Sequence, residues 1–183
     1  MISILLYRKL FILTISILLL MSSGTVYGKG RTKGILPGAS AKDPLTVDAA
    51  TLDFFDKEQK LIYNGDVLVV NGPSTLKASR LIIFLDDEKN NTKKTTGNDR
   101  VKHIDAQGPV KLVTKDQISI GDNGSYDKSQ NKVYLTGNVK ITQNETVVTG
   151  DRAVYDVATG ESSVFGNDLQ GGKVRSTLTP QTE

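Results

Sequence analysis

The side chains able to do chemistry in this chain are few and scattered. Among 183 residues there is no cysteine and one histidine, His103. That composition excludes thiolate metal sites, disulfides and cysteine nucleophiles; a multi-histidine metal site cannot be assembled, and Ser–His chemistry would rest on His103 alone. His103 stands in Val101-Lys102-His103-Ile104, near a strand start, and reads as a solvated or locally hydrogen-bonded imidazole. Asp122 and Asp151 recur beside small residues, 29 positions apart. Stacked repeats could bring them together as a general acid and base, but nothing nearby supplies an oxyanion hole, and aspartate in that setting forms Asx turns and bulges. The outward acids Asp53, Asp66 and Asp156 do not recur in register, as the clustered carboxylates of a β-solenoid enzyme acting on polysaccharide would. Lys89, Lys93, Lys94 and Arg100 form a charged loop that could meet phosphates, although such loops are usually just solvated. The expectation is a protein with no catalytic residue, no metal and no cofactor.

The N-terminus reads as an export signal. Arg8 and Lys9 supply a positive start, Leu10 to Met21 is an apolar run, and Val26-Tyr27-Gly28 places small residues at the −3 and −1 positions of a cleavage site before Lys29. The run is short for a spanning helix, which needs about 20 apolar residues. Residues 1–28 are therefore expected to be a signal peptide, with an uncleaved N-terminal anchor as the competing reading. The formal charge of +3 and pI of about 9.0 owe something to Arg8 and Lys9. The remaining chain is close to neutral and gives no argument for nucleic acid. Residues 29–43 are rich in Gly, Lys and Ser and read as a flexible lead-in.

A repeat must position everything that follows. Small residues at 49, 78, 121 and 150 each open a short strand pattern, then a polar turn (DKEQK, DDEKN, DKSQNK, DVATGE), then a second strand ending in a glycine corner at Gly65, Gly108, Gly137 and Gly166. Anchor and corner are 16 residues apart in three repeats and 30 in the second, whose surplus is the polar insertion of residues 86–100. Where nothing is inserted the anchors recur every 29 residues. Segments such as Val67-Leu68-Val69-Val70 and Val139-Lys140-Ile141-Thr142 are rich in β-formers, and no stretch beyond the leader keeps a 3.6-residue period long enough for a helix. Each repeat is thus a β-hairpin, with small residues at its corners because bulges and close approaches exclude side chains. The expected fold is all-β: an open-ended, slightly twisted β-jelly-roll built from repeated β-hairpins, spanning residues 44–180.

Alternation assigns the inner face. Leu45 and Val47 point in; a bulge at Ala49-Ala50 resets the parity so that Leu52 and Phe54 do too, rather than Asp53, whose burial would be costly. The same parity places Val67, Val69, Leu81, Ile83, Val110, Leu112, Tyr126, Val139, Ile141 and Tyr155 inside, and Asp53, Arg80, Ser125 and Asn138 outside.

Asp43-Pro44-Leu45-Thr46-Val47-Asp48-Ala49, Tyr63-Asn64-Gly65-Asp66-Val67-Leu68-Val69, Leu135-Thr136-Gly137-Asn138-Val139 and the closing residues 172–180 together resemble the LptA/OstA-like lipopolysaccharide-transport family. The ordered set covers about residues 43–180. The resemblance implies a periplasmic jelly-roll, open at both ends, that binds the lipid A part of lipopolysaccharide on the inner face listed above; Leu45, Leu112 and Tyr126 match interior positions of the family's lipid-contacting face. It further implies head-to-tail pairing of edge strands, with copies of itself and with an LptC-like inner-membrane and an LptD-like outer-membrane partner, near Leu45–Val47 at one edge and Val174–Thr179 at the other. The insertion departs from the family pattern and leaves contacts near it open. An anchored, LptC-like assembly partner is the alternative reading of the same architecture.

Overall fold

The computed structural model describes residues 34–86, 97–167 and 172–178. The leader and most of the insertion, with Lys89, Lys93 and Lys94, lie outside the described residues. Ten strands run in chain order: β1 (Leu45–Asp48), β2 (Thr51–Phe55), β3 (Lys60–Asn71), β4 (Ser74–Leu85), β5 (Val101–Val113), β6 (Ile118–Asp127), β7 (Lys132–Gln143), β8 (Thr146–Asp156), β9 (Ser162–Phe165) and β10 (Arg175–Thr177). They form one antiparallel meander, with each of β3 to β8 paired to the next. At one edge β1 and β2 lie end to end along β3; at the other, β10 and β9 do the same along β8.

Each pairing from β3/β4 to β7/β8 is interrupted at one aligned level, and β4/β5 shifts again between Phe84 and Leu85. Register shifts fall between Asn64 and Val67, Lys77 and Arg80, Gln107 and Val110, Ile120 and Asn123, and Thr136 and Val139. Three of them hold the glycine corners Gly65, Gly108 and Gly137, and the other two the small anchors Ala78 and Gly121. Gly65 and Asp66 have φ of +82° and +46°, and Gly137 and Asn138 +77° and +47°. That is left-handed backbone, which glycine adopts without penalty and Asn or Asp tolerates. Space is short as well: a Cβ on Gly65 would stand 2.8 Å from the Ala50 Cβ. The aligned bulges form a crease that folds the meander on itself. One layer holds β2, β9 and the half-strands 60–64, 80–85, 101–107, 123–127, 132–136 and 152–156. The facing layer holds β1, β10 and the other halves. A Cβ on Gly124 of the first layer would touch Val110 of the second at 3.3 Å. Gly166 departs from the expected pattern: it follows the end of β9 and closes onto Gly172, outside any strand.

The polar turns carry their own stabilisation. The Asp127 carboxylate accepts from the backbone N–H of Ser129 (2.8 Å) and Gln130 (3.2 Å) and from the Ser129 hydroxyl (2.6 Å). Asp156, 29 residues on, accepts from the N–H of Ala158 and Thr159. The Ser129 hydroxyl first, and the backbone bonds with it, hold the Asp127 carboxyl below the usual carboxylate range. Asx turns thus fall on Asp127 and Asp156, while Asp122 and Asp151 stand at the crease, where Asp122 accepts from Asn138 Nδ2 at 2.8 Å.

The lead-in is not free along its whole length. Residues 34–40 pack against the interior, with Ile35 and Leu36 only 5% and 4% exposed. Composition pointed to a flexible segment because Gly, Lys and Ser outnumber the two apolar side chains; burial of that pair decides otherwise.

The crease makes one substitution diagnostic. Gly65→Ala adds a left-handed strain of about 1–3 kcal/mol and a contact with Ala50. It is expected to lower the urea midpoint accordingly without changing the β signal of the folded protein.

Candidate functional site

The interior between the two layers is the feature on which the inward side chains converge. Both layers contribute to one apolar cluster: Leu81, Ile83, Ile104, Tyr126 and Leu135 from the first, and Val67, Val69, Val110, Leu112, Val139 and Ile141 from the second. Leu45, Val47 and Tyr155 are partly buried and pack against its margins. Antiparallel pairing keeps partners on one face, so Val47 opposite Val69, and Tyr155 opposite Val133, belong to the same interior.

Leu52 and Phe54 stand apart from the rest of the inward set. They pair with Tyr63 and Leu61 and so share the inner face, but they are 53% and 56% exposed. The reason is position: among the described residues β2 is the last strand on its side, and none lies beyond it to cover them. The other exposed large apolar side chains at the sheet ends are Phe55 on β2, Phe165 on β9, and Val174 and Leu178 flanking β10. Phe55 and Phe165 alternate with Phe54 and Val164 and so turn to the outer face, beside Lys60 and Arg152; at the β2 end, Leu52 and Phe54 leave the trough apolar and uncovered by any described residue.

Alternation would also have found Ile104 and Ala106 on β5, and Val133 and Leu135 on β7, had it been carried through the first halves of those strands. Ile35 and Leu36 carry no periodic signal; an Ile-Leu pair inside a polar stretch is the only hint. With residues 34–40 in place the interior is well filled. Between Pro37, Leu112, Ile141, Leu135 and Tyr155 there remains about 20 Å³, room for about one water.

The polar groups assemble nothing catalytic among the described residues. No group of three or more metal-ligating side chains occurs there. His103 Nε2 lies 2.9 Å from Asp105 Oδ1 with its ring tilted on Phe84, a local contact on the outer face. Arg100 donates to Gln59 Oε1 at 2.6 Å. Burial raises the Tyr126 hydroxyl above its ordinary pKa, with the Asp127 charge adding to it, and burial alone raises Tyr63. No described helix is long and apolar enough to cross a membrane.

Known proteins share this pattern. Residues 46–161 match the family model described as "LptA/(LptD N-terminal domain) LPS transport protein". The chain is 28% identical over 144 residues to an uncharacterized protein of Rhizobium meliloti (strain 1021), covering 78% of this chain and 75% of that one. It is 25% identical over 133 residues to the lipopolysaccharide export system protein LptH of Pseudomonas aeruginosa, covering 73% and 74%. The crystal structure of LptH, described as the LptA homologous periplasmic component of a lipopolysaccharide transport device, superposes with a TM-score of 0.61 at 20% identity, over 75% of this chain and 96% of that one.

Interior and rim residues should respond differently to truncation. Leu81→Ala is expected to cost about 2–5 kcal/mol, as buried leucine truncations do, whereas Leu52→Ala should cost within about 0.5 kcal/mol; denaturant melts of the two variants check this. In an alkaline titration followed by tyrosinate absorbance, Tyr126 and Tyr63 should ionise above Tyr side chains in the unfolded chain. Because their folded pKa is raised, the stability they confer is complete below about pH 10 and is lost as pH rises from there through the folded value.

Proposed function

The chain belongs to the LptA/(LptD N-terminal domain) LPS transport protein family, and on that premise we propose that it is a periplasmic carrier binding the lipid A acyl chains of lipopolysaccharide between its two layers. The family is one of transport proteins, not of enzymes. The observation that carries the reading is the continuous apolar interior that reaches both sheet edges without a covering strand. Each CH₂ buried there is worth about 0.8 kcal/mol, so several acyl chains supply binding energy with no catalytic or charged group. The contact residues proposed are the inward set named above, from Leu45 on β1 to Tyr155 on β8.

The two ends extend the reading to assembly. An uncovered edge strand offers unpaired N–H and C=O groups, a liability for a monomer and a means of β-augmentation for a bridge. The β1/β2 edge and the β9/β10 edge are each split in two, so one copy's end can accept another's in register. Leu52 and Phe54 at one end, and Val164, opposite Ala153, at the other, lie on the inner face. Joined head to tail, they would carry the trough from one copy to the next. The same edges suit an LptC-like jelly-roll on the inner-membrane side and an LptD-like one on the outer-membrane side.

The test places a photo-crosslinking residue at Tyr126, which is 8% exposed and inward, and separately at its outward neighbour Ser125. On exposure to lipopolysaccharide, position 126 is expected to label and position 125 not. Labelling at neither position in the folded protein would leave a structural β-adaptor as the better account.

A further inference from the structure

Resting on the reading of the trough as an acyl-chain site, we infer that residues 34–40 are a built-in lid across its mouth, held shut chiefly by Asn71, and that lipid enters by displacing them. Folding at the crease leaves the trough open on the opposite side, along the hairpin turns of both layers. Residues 34–40 cross that opening. Gly34 and Ile35 share a pocket of about 130 Å³ with Val101, Tyr126 and Asn131 of the first layer's rim. Pro37 lies against Leu112, Ile141 and Tyr155.

The fastening is made of side chains, not of sheet. Asn71 ends β3 at the second layer's rim and is fully buried. Its Oδ1 accepts from the N–H of Ile35 and of Leu36, both at 3.1 Å, and its Nδ2 donates to the carbonyls of Asp43 (3.0 Å) and Pro44 (3.1 Å). The Ser74 hydroxyl, first residue of β4 after the Gly72-Pro73 turn, donates to the Pro37 carbonyl. From the other rim, Asn98 Nδ2 donates to the same Asp43 carbonyl at 2.7 Å, and Asn98 Oδ1 accepts from Leu45 N–H. The segment's own backbone bonds are local, from Gly34 N–H to Ala39 and from Ala39 N–H to Leu36. Ser40 makes a single β-bridge, and no longer strand of the described residues includes the segment. A turn closed by Ser40 N–H on the Asp43 carboxylate at 2.7 Å joins it to β1.

The lid's chemistry matches what it would yield to. Ile35 and Leu36 offer the interior a short stretch of branched hydrocarbon, and an acyl chain offers the same surface in greater length. With the lid seated, the cavity beside Pro37, Leu112 and Ile141 holds about 20 Å³; with it displaced, the volume it fills is released on the apolar side. An empty trough open to water would be an aggregation hazard, which a resident segment removes. The cost falls on affinity, because a site open only a fraction of the time binds more weakly by that fraction.

Hydrogen exchange of the exported protein reads this directly. In the lipid-free protein the Ile35 and Leu36 amides are expected to be protected, and on saturation with purified lipopolysaccharide they should exchange at least about tenfold faster, while the amides of β5 and β7 stay protected. In parallel, Ile35→Ser/Leu36→Ser, checked for its β signal by circular dichroism, should bind lipopolysaccharide about tenfold more tightly than the parent. Lipid that binds both forms equally and leaves the two amides protected overturns the lid and leaves the carrier reading standing. Lipid that binds neither form overturns both.

Discussion

The crease is the constraint on which the rest depends. Without the aligned bulges, which carry left-handed residues on β3, β5 and β7, β3 to β8 would form a flat meander with one apolar face open to water. Such a sheet of long strands is aggregation-prone. Gly65-Asp66 on β3, Gly108 on β5 and Gly137-Asn138 on β7 supply the left-handed bends, and the small residues Ala78-Ser79 on β4 and Gly121 on β6 lie at the same register shifts between them. The single sheet becomes two facing layers without any connection crossing between them. The glycines at 65, 108 and 137 follow from this: an added Cβ there would meet the Ala50, Ser79 and Asp122 side chains.

A sheet folded on a crease, and not closed into a barrel, keeps two kinds of opening. Its ends are the edge strands, where Leu52 and Phe54 remain exposed because the apolar face outlasts the chain's own strands. Its mouth is the line of hairpin turns, across which, among the described residues, the segment before β1 and the bond from Leu45 N–H to Asn98 tie the two rims. The ends suit extension by another sheet; the mouth suits entry from the side. Both follow from the same geometry, since a closed barrel would have neither.

Packing and function pull against each other in the interior. A cluster of Val, Leu, Ile and Ala at native density stabilises the fold, yet a carrier must hold a guest in the same place. On the carrier reading, the ladder of β3 to β8 is the fixed part and residues 34–40 the part that leaves. The ladder bonds between β3 and β8 are continuous on both sides of the crease, whereas residues 34–40 are attached by a few side-chain hydrogen bonds to Asn71, Ser74 and their own turn.

The repeat, its 29-residue spacing, the all-β class, the glycine corners and the parity of the inner face were all legible in the sequence, because each is a local rule. Alternation has a period of two, and left-handed backbone selects Gly and Asn, so residues as distant as Gly65 and Gly137 announce the same bend. Parity gave the face on which Leu52 and Phe54 lie but could not give their exposure, because burial depends on whether another strand follows in space. Nor could composition show that Ile35 and Leu36 leave a polar lead-in to fill the mouth: their partners, Asn71, Val101 and Tyr126, are 35 or more residues away in the chain. Local stereochemistry thus determined where the strands bend and which way each side chain faces. Only the tertiary structure decided which faces are covered and what closes the opening, since both rest on long-range contacts that carry no period along the chain.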